Sequence, residues 1–234
     1  MANARPRSRP APPEPAAPSF VESLLDTLVA SLPEAEVEAS RARFEARTGA
    51  FTSADAFHEE RIRAFTDELV CETVGPDGLT PAERARRALT RDDSSEPARW
   101  LAALTRAERS LFRAELEPDG MRLRCLLGGA RYRVVLEGPS ARLRSGDVLD
   151  GRIAPVGREI HVLPGMVFHP EEAHEALVDL VAEAVAQGRE RRALLDGLLR
   201  IRMRHDRFVS IHARHLYRVE SLDTREIKAA PWKR

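Results

Sequence analysis

The stretch Arg202–His215, RMRHDRFVSIHARH, concentrates three histidines and four arginines. Imidazoles in this density can ligate a divalent metal, titrate near neutral pH, or pack in a seam with their polar edges hydrogen-bonded. Stepping by threes and fours gives Leu194, Leu198, Ile201, His205, Phe208, His212, His215 and Val219. That is an a/d heptad ladder. It carries all three histidines and leaves Arg200, Arg202, Arg204, Arg207, Arg214 and Arg218 off it. The coherent face is therefore the neutral one, which argues against a basic recognition helix. Three readings stay open for the ladder. It is core, a subunit interface sensitive to pH near about 6, or a metal site. In the last case His212 and His215 pair at i, i+3, completed by His58 or by a residue of the HPEEAH segment.

A second group is FHPEEAHEAL, in which His169, Glu172 and His174 offer nitrogen and oxygen ligands. His169 and His174 are five residues apart, about 140° around a helix, so they do not share a face. The same letters also write a helix start, with Pro170 at the first position and Glu171 and Glu172 opposing the positive end of the dipole. A third group lies on short alternating segments. Arg122 and Arg124, then Arg131 and Arg133, then Arg142, Arg144 and Arg152 would form a basic patch on one sheet face. Single-strand-binding barrels add stacking aromatics to such a patch. Here Tyr132 has the opposite parity to Arg131 and Arg133, so the stacking half is missing.

No dinucleotide fingerprint, phosphate-binding loop, zinc-protease helix, nucleophile elbow or EF-hand loop is present, and no cofactor is expected. Formal charges balance, with 37 basic and 37 acidic residues, so no global field draws the chain to nucleic acid or an anionic membrane. All basic residues except Lys228 and Lys233 are arginine, and Ala, Arg, Pro and Leu dominate. Genomic codon bias accounts for that, so arginine density alone says little about phosphate. Cys71 and Cys125 stand apart in apolar surroundings and read as inert buried thiols. No segment approaches the roughly twenty apolar residues of a membrane span, and the N-terminus lacks an apolar signal core. The expected location is the cytoplasm, without a membrane partner.

Residues 1–18 hold six prolines and three arginines and read as a disordered tail. Residues 19–117 read as a helical array. Ser19 with Glu22 and Thr80-Pro81 with Glu83 are helix-start signatures, and SSEPARWLAALTRAERSLFRAEL is read as one helix. From 118 to 169 the period changes to two. MRLRCLL, ARYRVVLEG, DVLDGRIAPV and EIHVLPGMVF read as four strands of a small antiparallel sheet or half-open barrel. Residues 170–219 read as a helical hairpin packing on the rest, and 220–234 as a frayed C-terminus. The fold class is α+β, mainly helical.

RFEARTGAFTSADAFHEERIRAFTDELV, Arg43 to Val70, resembles a group of uncharacterised bacterial proteins typical of myxobacteria, with the pattern RF..RTG.F...D.WFE.R..AF.D. TPAER and LRSGDVLDGRI extend the likeness over most of residues 40–165. The chain departs from the pattern at Ala56, Phe57 and His58. The resemblance implies a helical-plus-small-sheet architecture and brings no assigned activity and no catalytic residues. No nucleophile–base or carboxylate pair has motif-grade spacing. The reading is thus a non-catalytic cytoplasmic interaction module with a protein partner, and a homo-oligomer through the C-terminal helix is one form of it. The alternatives are a metal-dependent enzyme using His169, His174, His205, His212 and His215, and weak nucleic-acid binding through Arg122, Arg124, Arg131, Arg133, Arg142 and Arg144.

Overall fold

Ser19 accepts the Glu22 N–H while the Glu22 carboxylate takes the Ser19 N–H, and this reciprocal cap starts α1 (Phe20–Ala30). Thr80 and Glu83 make the same box at α4 (Pro81–Ala88), with Pro81 in the first turn. Between them lie α2 (Glu34–Thr48) and α3 (His58–Cys71), and α5 (Glu96–Leu104) follows. The computed structural model describes residues 19–90, 94–208 and 211–224. The expected tail of 1–18 and residues 225–234 lie outside the described residues.

Six strands form one sheet: β1 (Glu108–Glu117), β2 (Gly120–Cys125), β3 (Arg131–Val135), β4 (Val148–Val156), β5 (Glu159–Val162) and β6 (Val167–Phe168). β1 pairs with both β2 and β4. β3 pairs antiparallel with β2 and parallel with β5, and β5 returns antiparallel to β4. The order β1-β2-β3-β5-β4-β1 closes a five-stranded barrel, and β6 extends β4. The closure is narrow at the parallel pair, where only Val134↔Ile160 and Val135↔His161 are in register. Phe112, Leu123, Val134, Leu149, Ile153 and Val162 fill the interior.

The chain is α+β, with two departures from the sequence reading in the sheet. Residues 108–117, expected as the end of a helix, are strand β1. Helix α5 stops at Leu104, and β1 is buried on both faces through its centre: Ser110, Phe112 and Ala114 on one side, Arg109 and Leu111 on the other. A strand buried on both faces shows no polar alternation, and its helix-forming letters yield to pairing along both edges. The sheet also has one parallel pair instead of being wholly antiparallel.

α6 (His174–Ala186) and α7 (Arg191–Arg207) form the hairpin, which buries Leu177, Leu180, Leu194 and Leu198 against Leu111 of β1 and Val148 of β4. The helical array covers the neighbouring outer face through Ala154 and Leu163. α7 does not run to Val219. It ends at Arg207, with Phe208 at φ −120° and ψ 60°, and a short helix α8 (Ala213–Leu216) follows. Phe208 and the Val209, Ser210 and Ile211 that follow it in sequence are aromatic, β-branched or polar, weaker helix formers than the Leu and Arg of α7. Residues 219–223 are a 3₁₀ turn whose Leu222 is buried, so the first part of the expected frayed end is packed.

Candidate functional site

The heptad ladder divides where α7 ends. Leu194, Leu198 and Ile201 are buried inside the chain, so they are not offered to a second copy. His205 and Phe208 are only half-buried, and His212 and His215 are exposed, so the core reading of the ladder does not hold from His205 to His215. His205 lies 3.2 Å from Glu172 across the hairpin. His212 caps α8 by accepting the Arg214 N–H, and its ring meets His215 edge-on. His169 is buried and paired through Nδ1 to the Tyr217 hydroxyl at 2.8 Å. Burial, then the charge of Arg202, pushes its pKa down to about 3, so the ring is neutral. His174 bonds to the His169 carbonyl. The five candidate ligands are thus dispersed. Among the described residues no group of three or more His, Cys, Asp or Glu side chains is placed to hold a metal ion.

The sheet arginines fare differently. The ladder places Arg122 opposite Arg133 and Arg124 opposite Arg131, so four guanidiniums share the outer face of β2 and β3. The same face brings carboxylates from β1 and its turn. Glu117 and Asp119 pair with Arg122 at 2.8 and 3.1 Å, Glu115 with Arg124 at 3.1 Å and Arg131 at 3.7 Å, and Asp119 with Arg133 at 3.9 Å. Arg113 of β1 stands opposite Arg124 on the same face, so five positive charges meet three negative ones, and the patch is largely ion-paired. Arg142 is not part of it. It leans on the Phe168 ring at 5.0 Å and faces Glu60 at 3.6 Å. Arg144 is exposed in the turn before β4, and Arg152 is buried beneath the helices.

Beside the paired arginines runs a groove of about 540 Å³. Asp119 of the β1–β2 turn and Gly120 of β2 line it together with Arg158 of the β4–β5 turn and Glu159 of β5. Val134, Val135, Leu136 and Ile160 line it at the narrow β3–β5 closure. Sequence reasoning missed this groove, because its members belong to three separate segments that only barrel closure unites.

Strand parity also sends Arg109, Asp150 and Arg152 outward, beneath the helices. Arg109 is buried and donates Nε and Nη2 to the two oxygens of Asp150 at 2.9 and 2.8 Å, and Nη1 to Asp196 of α7 at 2.8 Å. Burial alone would lower its pKa, and the two carboxylates more than offset that. Arg47 of α2 joins Asp196 at 2.6 Å and Glu68 of α3, and Arg152 joins Glu72 at 2.7 Å. The network ties barrel, array and hairpin together. Its carboxylates Asp196 and Glu72 are held below their usual range against burial, chiefly by Arg109 and Arg152 respectively. Every guanidinium and carboxylate in it has an opposite charge to hold, so it acts as a joint between the three parts.

The RF..RTG.F segment builds a second joint. Arg61 of α3 is buried, donates to Thr48 Oγ1 and the Gly49 carbonyl at 2.8 Å each, and lies between the Phe44 and Phe51 rings, 5.0 and 4.9 Å from their centroids. Gly49 takes φ 92° to aim that carbonyl. Phe57, where the resemblance leads one to expect a different aromatic pair, is buried beneath Arg202 at 4.7 Å.

Comparison of the chain with protein-family models, with curated proteins and with solved structures finds no match.

Proposed function

We propose that the chain is a non-catalytic binding module whose barrel groove takes an extended segment of a partner protein. The observation that carries this is the groove itself, with apolar side chains along it and Asp119, Arg133, Arg158 and Glu159 at its margins. Mixed charge over an apolar strip suits a peptide bearing both signs. The strand order with parallel β3 and β5 is that of OB-type barrels, which bind oligonucleotides and oligosaccharides on strands 2–3 and on the loops joining strands 1–2 and 4–5. That likeness is one of fold and supports the place, not the ligand. Both cysteines are free thiols, which suits a reducing compartment, and the same proposal places the protein in the cytoplasm. Among the described residues no helix is long and apolar enough to cross a membrane.

A photoreactive leucine at Leu136, in cells making the protein, is expected to cross-link to one protein, and Arg133→Glu with Arg158→Glu should abolish that adduct. Cross-links to nucleic acid, or a protein adduct indifferent to the double variant, would remove the proposal. The second reading, nucleic-acid binding on the arginine face, predicts a steep salt dependence. With five arginines against three carboxylates there, the net excess is two charges, and we expect a single-stranded 20-mer to bind weakly or not at all near physiological salt. The slope of log K against log salt should not exceed about one to two. Fluorescence anisotropy over a salt series checks this, and a slope of about four would restore the polyanion reading.

A further inference from the structure

A cleft of about 270 Å³ opens between α1, α3 and Pro164 of the loop before β6. Glu22, Asp26, Glu59 and Asp67 line it together with Arg63, which faces Glu22 at 3.6 Å. Glu22, Asp26 and Glu59 alone outnumber Arg63, which leaves an excess of negative charge. Asp26 and Glu59 are exposed at the surface, whereas Asp67 is fully buried. Leu25, Ile62 and Pro164 give the cleft apolar walls.

Asp67 is the unusual member. Its Oδ2 accepts the Gly165 N–H at 2.9 Å, and its Oδ1 is buried with no hydrogen-bond partner. Gly165 is required for that approach, since a Cβ there would sit 2.5 Å from Oδ2 and 2.7 Å from the Ala64 Cα. A buried carboxylate oxygen without a donor costs free energy, and among the residues that line the cleft Asp67 is the one with such an oxygen. The buried joint described above holds its own carboxylates with arginines. Arg152, the cation buried nearest in the network, is engaged by Glu72 at 2.7 Å and has no hydrogen bond to Asp67. The unmet need is thus for a donor that enters from the cleft.

We propose that this cleft binds a linear alkyldiamine, with one ammonium donating to Asp67 Oδ1, the methylenes against Leu25, Ile62 and Pro164, and the second ammonium among Asp26, Glu59 and Glu22 at the rim. An ammonium supplies three donors on a stem that buries well along apolar walls. A divalent metal fits less well, because no three carboxylates of the described residues converge on one point. This site is independent of the barrel groove and of the protein-binding proposal.

The test is calorimetric titration of the full chain with 1,4-diaminobutane, with n-butanol and magnesium chloride as parallel probes. The diamine is expected to bind and the other two are not. Asp67→Asn should weaken the diamine at least tenfold, with the fold checked by circular dichroism. Asp26→Asn and Glu59→Gln, both at exposed positions, should each weaken it about threefold and keep the proposal testable if Asp67→Asn does not fold. Absence of diamine binding at millimolar concentration would overturn the proposal. So would equal binding of n-butanol, tighter binding of magnesium, or an affinity that ignores all three substitutions.

Discussion

Arg109→Met is expected to lower the stability of the fold by about 3–5 kcal/mol, the cost of leaving buried charge uncompensated. The arginine holds Asp150 through two bonds and Asp196 through a third, all within the interior. Removing it strands Asp150 and leaves Asp196 with Arg47 alone, whereas removing one carboxylate still leaves Arg109 the other. Asp150→Asn and Asp196→Asn should therefore each cost less than Arg109→Met. In Arg109→Met with Asp150→Leu and Asp196→Leu, a large part of the loss should return, because an apolar contact needs no partner. Urea unfolding with the slope unchanged checks the series. A loss below about 1 kcal/mol for Arg109→Met would mean that water reaches the joint and that barrel and helices are held by their apolar contacts alone.

The joint was not legible in the sequence, for a reason that applies to the groove as well. Arg109 stands in a stretch whose letters favour a helix, and only on a strand does its parity place it beside Asp150. Caps were legible because their partners are three residues apart and their chemistry is local. Ser19 with Glu22 and Thr80 with Glu83 form as the spacing requires. The alternation of Met121, Leu123 and Cys125 against Arg122 and Arg124 likewise gave β2 and the sign of its outer face. What it did not give was the neutralising carboxylates, because Glu115 and Glu117 lay in the segment read as helix. The histidine ladder failed at a different point. Its periodicity runs through Phe208 without interruption, but periodicity states which side would be buried if a helix existed, not whether the helix continues. Asp67 left a trace that went unread. It is a carboxylate three residues from Ala64 and Val70, on the stripe those residues bury.

That carboxylate and His169 should set the pH dependence of stability, with opposite signs. Burial raises the Asp67 pKa to about 7 from 3.8. The native state then holds a proton that the unfolded chain releases, so its contribution is intact below about pH 4 and is lost as pH rises to about 7. His169 is driven from 6.5 down to about 3. The unfolded chain takes a proton that the native state refuses, so its contribution is intact above about pH 6.5 and is lost as pH falls toward 3. Between about pH 4 and 6.5 the two slopes, each at most about 1.4 kcal/mol per pH unit, oppose one another and should largely cancel in the wild type. Asp67→Asn keeps an acceptor for the Gly165 N–H and removes the ionisation. At pH 8 it should be more stable than the wild type by up to about 4 kcal/mol, and between pH 4 and 6.5 its stability should climb with pH under His169 alone. His169→Asn should show the reverse, a stability that falls with pH across the same window. Urea midpoints at half-unit pH steps on the three proteins decide the matter. If Asp67→Asn is less stable than the wild type at pH 8 and follows the same pH curve, the Asp67 carboxyl is ionised in the native protein, and a donor already reaches its second oxygen.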